Sequence, residues 1–133
     1  MSAPNPYKIV VAASYPPVGR FIALALRLEG YETHLLADGE ETLAYLLSQP
    51  FDAVLLDAEL PRVDGLAICQ RVRAVSAAPI VLFFMQGGRS QHWHATHLGA
   101  SAVLDLPIGA DELRDCVRAL LPAANGSGER HVL

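Results

Sequence analysis

The most restrictive feature of the sequence is an alternation of short apolar runs with segments of helical periodicity, repeated five times. The apolar runs are too short for helices and rich in β-branched residues, which is typical of buried strands. They span residues 8–13, 31–36, 52–57, 79–85 and 102–105. Strands that alternate with helices of about ten residues predict right-handed βαβ units, and hence a parallel sheet covered by helices on both faces.

Proline and glycine residues mark the ends of the intervening helices. Pro16 and Pro17 suit the first turn of a helix, and Gly30 suits the residue just past its end. The other helices are predicted at 39–48, 64–74, 90–98 and 110–121. In the first helix the residues expected to face the core are Val18, Phe21, Ile22, Ala25 and Leu28.

Composition limits the classes of protein to which the chain can belong. Its 133 residues, 52% apolar and 18% charged, predict one globular domain at 7–121, with a flexible Gly-rich tail at 122–133. A net charge of −4 and ten scattered basic residues argue against direct binding to nucleic acid. No apolar run approaches the roughly 20 residues of a membrane span, and no secretory signal is recognisable. We therefore expect a cytoplasmic location, with Cys69 and Cys116 as free thiols.

The candidate site lies where the strands of the predicted sheet end. In an open parallel sheet the functional crevice forms at the carboxyl ends of the strands, where the winding direction reverses. The residues at these ends are Ala12, Ala13, Ser14, Asp57 to Glu59, Phe84, Met85 and Asp105 to Pro107.

The segment DAVLLDAELPRVDG resembles the centre of CheY-like response-regulator receiver domains. In that family a strand ends in the phospho-accepting Asp, followed by a Leu/Met-Pro pair and an Asp-Gly that opens the next helix. The matching residues here are Asp57, Leu60-Pro61 and Asp64-Gly65. The resemblance covers residues 7 to about 121, with further matches at Gly30-Tyr31, Asp38 to Glu41, Pro79-Ile80 and Gly99-Ala100.

The resemblance implies a specific architecture. The family has a flavodoxin-like (βα)5 three-layer sandwich with parallel sheet order 2-1-3-4-5. Helices 1 and 5 cover one face of that sheet, and helices 2, 3 and 4 cover the other. The family also implies a cis peptide bond at Leu106-Pro107, although cis is the minority form of X–Pro bonds.

The chain departs from the family at most of the positions that handle phosphate. In a receiver, two adjacent acidic residues at the end of the first strand hold a divalent cation. The matching residues here are predicted to be Ala12 and Ala13. The Thr or Ser position at the end of the fourth strand is Phe84, and the aromatic switch position in the fifth strand is Val103. The Lys that pairs with phosphate is replaced by Leu106. Only the phospho-acceptor position, Asp57, keeps the family's residue.

These replacements remove the positive charge that phosphoryl transfer to a carboxylate needs, which a metal and a lysine normally supply. We therefore expect no metal, no other cofactor and no enzymatic activity. Three roles for Asp57 stay open: a structural cap of backbone N–H groups, a slow phosphate acceptor, or part of a remodelled small-ligand pocket.

The resemblance implies an atypical receiver, or pseudo-receiver, of two-component signalling that acts by protein–protein contact without ordinary Mg²⁺-dependent phosphorylation. The expected partner is a sensor kinase, a downstream signalling protein or a second copy, bound through helix 4, strand 5 and helix 5. The alternatives are a working regulator phosphorylated at Asp57, a flavodoxin-like small-ligand-binding module, and the receiver part of a longer protein.

The fourth helix supplies a candidate contact residue. At 100° per residue, Trp93 points away from the core positions Ala95 and Leu98, so we expect an exposed ring that anchors a partner. The nearby His92, His94 and His97 do not share one helix face, which argues against a metal site.

Overall fold

The computed structural model describes residues 7–85 and 89–122, in which five strands and five helices alternate. The strands are β1 Lys8–Ala12, β2 Glu32–Leu36, β3 Ala53–Asp57, β4 Ile80–Phe84 and β5 Ala102–Asp105. The helices are α1 Pro16–Arg27, α2 Gly39–Ser48, α3 Gly65–Arg73, α4 Arg89–His97 and α5 Ala110–Leu120. All strand pairs are parallel, in the order β2-β1-β3-β4-β5. The predicted fold and sheet order are confirmed.

Two hydrophobic clusters, one on each face of the sheet, form the core. The first cluster packs α2, α3 and α4 against one face through residues such as Leu46, Ile68 and Ala95. The second packs α1 and α5 against the other through Ile22 and Val117. The predicted distribution of helices is therefore confirmed, and β3 and β4 are buried along their whole length because both of their faces are covered.

The prediction for the buried face of α1 is partly wrong. Ile22 and Ala25 are buried as expected, but Phe21 and Leu28 are 42% and 73% exposed. The sheet contacts only one stripe of a helix, and in α1 the small residues Gly19 and Ala23 lie on that stripe. Adjacent positions differ by 100° around the axis, so Phe21 is turned out beside the buried Ile22.

Local interactions fix the loops above β3. Asp64 caps α3 by accepting a hydrogen bond from the Ala67 N–H at 2.8 Å. The preceding turn brings Gly65 so close to β3 that a Cβ there would lie 2.3 Å from the carbonyl oxygen of Asp57. Glycine at position 65 is therefore a steric requirement for the loop that follows Asp57. The Leu106-Pro107 bond is cis, as predicted.

The remaining sequence predictions concern the cysteines, membrane spans and the chain end. Cys69 and Cys116 are free thiols. No helix within the described ranges has the length and apolarity needed to cross a bilayer. The predicted tail, 122–133, lies outside the described residues except for Pro122.

Candidate functional site

Asp57 is held by three hydrogen bonds at the carboxyl end of β3. Its Oδ2 accepts from the Ser14 backbone N–H at 3.0 Å and from the Ser14 hydroxyl at 2.6 Å. Its Oδ1 accepts from the Glu59 N–H at 2.9 Å. The Asp57 side chain is fully buried, so these donors replace the water that a carboxylate otherwise requires.

Ser14 makes this carboxylate the link between two loops. Ser14 lies in the β1–α1 loop and Glu59 in the β3–α3 loop, and each donates to a different oxygen of Asp57. A phosphoryl group bonded to Oδ2, or a cation bound there, would compete with the two Ser14 donors for that oxygen. The arrangement favours a structural role for Asp57 over a role as an open acceptor.

The two alanines predicted at the acidic-pair positions lie on opposite sides of the sheet. Ala12 is the register partner of Leu56 and belongs to the first core cluster. Ala13 belongs to the second cluster, below Gly19 of α1. The residue of the β1–α1 segment that contacts Asp57 is Ser14, one position beyond the predicted pair. From sequence, Ser14 was expected at the strand end but without a role, because strand ends cannot be located to one residue from sequence.

The other positions predicted to be replaced are divided between the two core clusters. Phe84 is buried in the first cluster, and Val103 packs against the same cluster. Leu106 packs against the second cluster, on the opposite face. Phe84 and Leu106 are joined by a backbone hydrogen bond of 2.9 Å from the Leu106 N–H to the Phe84 carbonyl, but their side chains fill different spaces.

Leu106 contributes to an apolar groove between α1 and the β5–α5 loop. The groove has a volume of ≈ 390 Å³. Its lining residues are Pro17, Val18, Phe21, Met85, Leu106, Pro107 and Ile108. Leu106 and the other lining residues make this part of the surface hydrophobic, with no side-chain charge among them.

A divalent cation does not fit the residues around Asp57. Mg²⁺ sites in proteins use one or two carboxylates with water and phosphate oxygens. The residue of the β1–α1 loop that contacts Asp57 is Ser14, which carries no carboxylate. Its hydroxyl and its backbone N–H both donate hydrogen bonds to Asp57. Among the described residues, no group of three or more His, Cys, Asp or Glu side chains is arranged to hold a metal.

The exposed aromatic group on α4 is Trp93. Its side chain is 68% exposed, as predicted, and its ring stacks on His97 with centroids 5.0 Å apart and planes at 15°. His94 is exposed on the same helix, and the side chain of His92 lies outside the described part of the structure. The stacked pair forms an exposed aromatic patch on α4.

Comparison with known proteins places this architecture in one family. The profile of the response regulator receiver domain matches residues 9–118. Response regulator ArlR of Staphylococcus saprophyticus is 31% identical over 114 residues, which are 86% of this chain and 52% of that protein. Response regulator MprA of Mycolicibacterium vanbaalenii is 32% identical over 128 residues, 93% of this chain and 55% of that protein. The chain thus spans about half the length of these relatives.

Solved structures agree on the fold. A two-component response regulator from Clostridium difficile superposes with a TM-score of 0.82 at 23% identity, covering 90% of this chain and 99% of that one. A CheY-like receiver domain protein from Methanospirillum hungatei superposes with a TM-score of 0.81 at 18% identity, covering 86% and 92%. With the family profile matched over most of the chain, and relatives above 30% identity, the chain belongs to the response regulator receiver domain family of two-component signalling.

Proposed function

We propose that this chain is an atypical receiver domain that signals through protein–protein contact and does not depend on Mg²⁺-dependent phosphorylation of Asp57. The observation that carries the proposal is the pair of hydrogen bonds from Ser14 to Oδ2 of Asp57. These hydrogen bonds join the β1–α1 loop directly to β3. In a working receiver the acidic pair and the phospho-accepting Asp are instead joined through a bound divalent cation.

The energetic argument concerns the charge of a phosphorylated site. A phosphoryl group on Asp57 would replace a buried, satisfied carboxylate with a dianion and would break the Ser14 contacts. Leu106 provides no ammonium group and Phe84 no hydroxyl to compensate. Burial of uncompensated charge costs several kcal/mol or more, so on the order of a thousandfold or greater loss in phosphorylation is expected.

The same contact supports a different assignment of the family's acidic pair. We assign them to Ala13 and Ser14, in place of Ala12 and Ala13, because Ser14 contacts Asp57 and Ala12 is part of the first core cluster. A carboxylate at position 14 would lie next to that of Asp57, whereas one at position 12 would enter the core.

The test compares the parent chain with a restored variant that carries Ala13→Asp, Ser14→Asp, Phe84→Thr and Leu106→Lys. Both are incubated with acetyl phosphate and Mg²⁺, and the intact mass is followed with time. The parent is expected to stay unmodified, and the restored variant to gain one phosphoryl group that Asp57→Asn removes. Phosphorylation of the parent at a rate similar to that of the restored variant would show that the chain is a working phosphorylation-controlled regulator.

We propose that the domain binds its partner through α4, β5 and α5, with Trp93 as the residue that anchors the contact. An exposed tryptophan held by a stacked neighbour is a typical hot-spot residue. The partner is proposed to be a sensor kinase, a downstream signalling protein or a second copy of this chain. A cytoplasmic location and the absence of direct nucleic-acid binding by this domain are part of the same proposal.

A further inference from the structure

The guanidinium of Arg73, the last residue of α3, binds two loops at once. After α4, its Nε donates a hydrogen bond to the Gly99 carbonyl at 2.9 Å and its Nη2 donates to the Ser101 hydroxyl at 3.3 Å. Between α3 and β4, its Nη1 donates to the carbonyls of Ser76 and Ala78 at 2.9 and 2.8 Å. Within 7–85 and 89–122, Arg73 forms no ion pair with a carboxylate. Its donors are therefore used to join the α3–β4 and α4–β5 loops.

The helix α4 ends beside this guanidinium in a glycine cap. Gly99 has a φ of 109°, and its N–H donates to the Thr96 carbonyl at 3.0 Å. The N–H of Ala100 donates to the Ala95 carbonyl at 3.1 Å, which completes a Schellman motif. Because the Gly99 carbonyl accepts from Arg73, a positive charge lies at the negative end of the α4 dipole. Arg73 thus caps α4 from the neighbouring helix, and we call this contact the Arg73 cap.

Little apolar packing holds this end of α4. Of the side chains at 93–97, only Ala95 is buried. An alanine buries much less apolar area than the larger side chains, such as Leu46 and Ile68, by which α2 and α3 pack on the same face of the sheet. Cys69 adds one weak contact from α3, with its Sγ 3.7 Å from the Leu98 carbonyl. The position of this end of α4 therefore depends strongly on the Arg73 cap.

The exposed aromatic pair of α4 lies directly before the Arg73 cap. Trp93 and His97 stack with ring centroids 5.0 Å apart, and both are exposed. At 1.5 Å per residue, Gly99 is about 3 Å along the helix axis from His97 and about 9 Å from Trp93. A displacement of the cap must therefore move the aromatic pair as well.

Asp57 has no comparable connection to α4. It lies at the carboxyl end of β3, whereas the contacts of Arg73 lie just before the amino ends of β4 and β5, at the opposite edge of the parallel sheet. Among the described residues, Asp57 accepts side-chain hydrogen bonds from Ser14 and Glu59, which belong to neither α4 nor β5. The polar contact that orients α4 is thus remote from Asp57.

We propose, on the basis of the function proposed above, that Arg73 is the positioning residue of the partner surface. Its cap fixes the end of α4, and with it the Trp93–His97 pair, in one orientation that does not depend on Asp57. The domain then presents the same contact surface to its partner at all times. A change at α3, and not a change at Asp57, alters that surface.

The experiment follows the fluorescence of Trp93, which is the only tryptophan in the chain, in the full-length folded protein. Amide hydrogen exchange of Gly99 and Ala100 is measured on the same samples. Arg73→Met keeps an apolar side chain and removes the donors, so we expect a changed Trp93 emission and exchange at least about tenfold faster at both amides. Arg71→Met, an exposed position on the same helix, is expected to change neither.

A second pair of variants separates positioning from a general loss of stability. Gly99→Ala strains a backbone with positive φ, and its Cβ would lie 2.7 Å from Cγ of Arg73, so it should disturb the cap from the α4 side. Gly30→Ala is the matched control, because Gly30 also has a positive φ, of 92°, and follows α1. We expect Gly99→Ala to change the Trp93 emission and Gly30→Ala to leave it unchanged, although both lower the stability of the domain.

Three results would overturn the proposal. They are an unchanged Trp93 emission in both Arg73→Met and Gly99→Ala, an equal change in Gly30→Ala, or a change in Asp57→Asn as large as that in Arg73→Met. The third would show that Asp57 controls α4. Phosphorylation of the parent chain by acetyl phosphate tests the proposed function separately, since it reports on Asp57 and not on the Arg73 cap.

Discussion

The Ser14 hydroxyl lies 2.6 Å from Oδ2 of Asp57 and, together with the Ser14 N–H at 3.0 Å, holds this buried carboxylate against the β1–α1 loop. In the assignment proposed above, Ser14 occupies the position from which a receiver of this family extends a carboxylate toward a cation. The contact keeps the retained aspartate satisfied and locks two loops together. It leads directly to the first two predictions.

Removal of the Ser14 hydroxyl should destabilise the domain. Ser14→Ala keeps the backbone donor but leaves Oδ2 of the buried Asp57 with one hydrogen bond fewer, so we expect the free energy of unfolding to fall by about 1–3 kcal/mol. Urea unfolding measures it. Ser48→Ala is the matched control, because the Ser48 hydroxyl makes a hydrogen bond of similar length, 2.7 Å, to the Ala44 carbonyl at an exposed position. Equal losses in the two variants would contradict a special role for Ser14.

Single carboxylates introduced at positions 12 and 14 should have opposite consequences. Ser14→Asp places a carboxylate beside Asp57, so we expect a loss of stability without metal and a partial recovery on addition of Mg²⁺. Ala12→Asp buries a charge in the first core cluster and should cost several kcal/mol with no recovery. Urea unfolding with and without Mg²⁺, and titration calorimetry, measure both effects. If Ala12→Asp binds Mg²⁺ and Ser14→Asp does not, the assignment of the acidic-pair positions is wrong.

Trp93 should contribute to association and not to folding. Because its side chain is 68% exposed, Trp93→Ala should change the free energy of unfolding by less than about 0.5 kcal/mol. It should weaken self-association or partner binding by about 1–2 kcal/mol or more. Analytical ultracentrifugation and thermal unfolding separate the two effects, with the exposed His94→Ala as the control. A large drop in melting temperature with unchanged association would show that Trp93 is a packing residue.

The stability of the α1–α5 contact should depend on pH through Glu29. Its carboxylate accepts hydrogen bonds from Arg118 and, at 3.1 Å, from Arg114. The hydrogen bond from Arg118, with a contribution from the charge of Arg114, lowers the pKa of Glu29 below its ordinary value of 4.5, although partial burial opposes the shift. Because the pKa of Glu29 is lower in the folded than in the unfolded state, the ion pair stabilises the fold at pH values above the unfolded-state pKa. This contribution is lost as the pH falls through the lower, folded-state pKa.

Glu29→Gln should therefore be less stable than the parent at pH 7, by less than about 1 kcal/mol for this surface pair. The difference should shrink as the pH is lowered below 4.5, the ordinary value for Glu29. Urea unfolding at a series of pH values measures it, with the exposed Glu40→Gln on α2 as the control. A difference that grows on acidification would contradict the sign of this linkage.

The order of the strands and helices could be predicted from sequence because it depends on local patterns. Apolar runs such as that of β3, and the Pro and Gly residues between them, place each element within one or two residues of its bounds in the structure. The family resemblance, which rests on Asp57, Leu60-Pro61 and Asp64-Gly65, then supplied the sheet order. Both depend on features that are contiguous in the chain.

The candidate site depended on contacts that are not contiguous. The sequence predicted that Asp57 ends a strand, and the family resemblance implied that Leu106 replaces a lysine. Which residue near the end of β1 meets Asp57 depends on a contact between residues 43 positions apart, Ser14 and Asp57. Only the pairing of β1 with β3 and the path of the following loop decide this contact, because Ala12 ends β1 beside Leu56 whereas Ser14 lies two residues beyond the strand. In the same way, helical spacing alone placed Phe21 and Leu28 in the core, and only the packing of α1 on the sheet turned them outward. One helix face can contact the sheet, and the smaller side chains of α1 allow the closer approach.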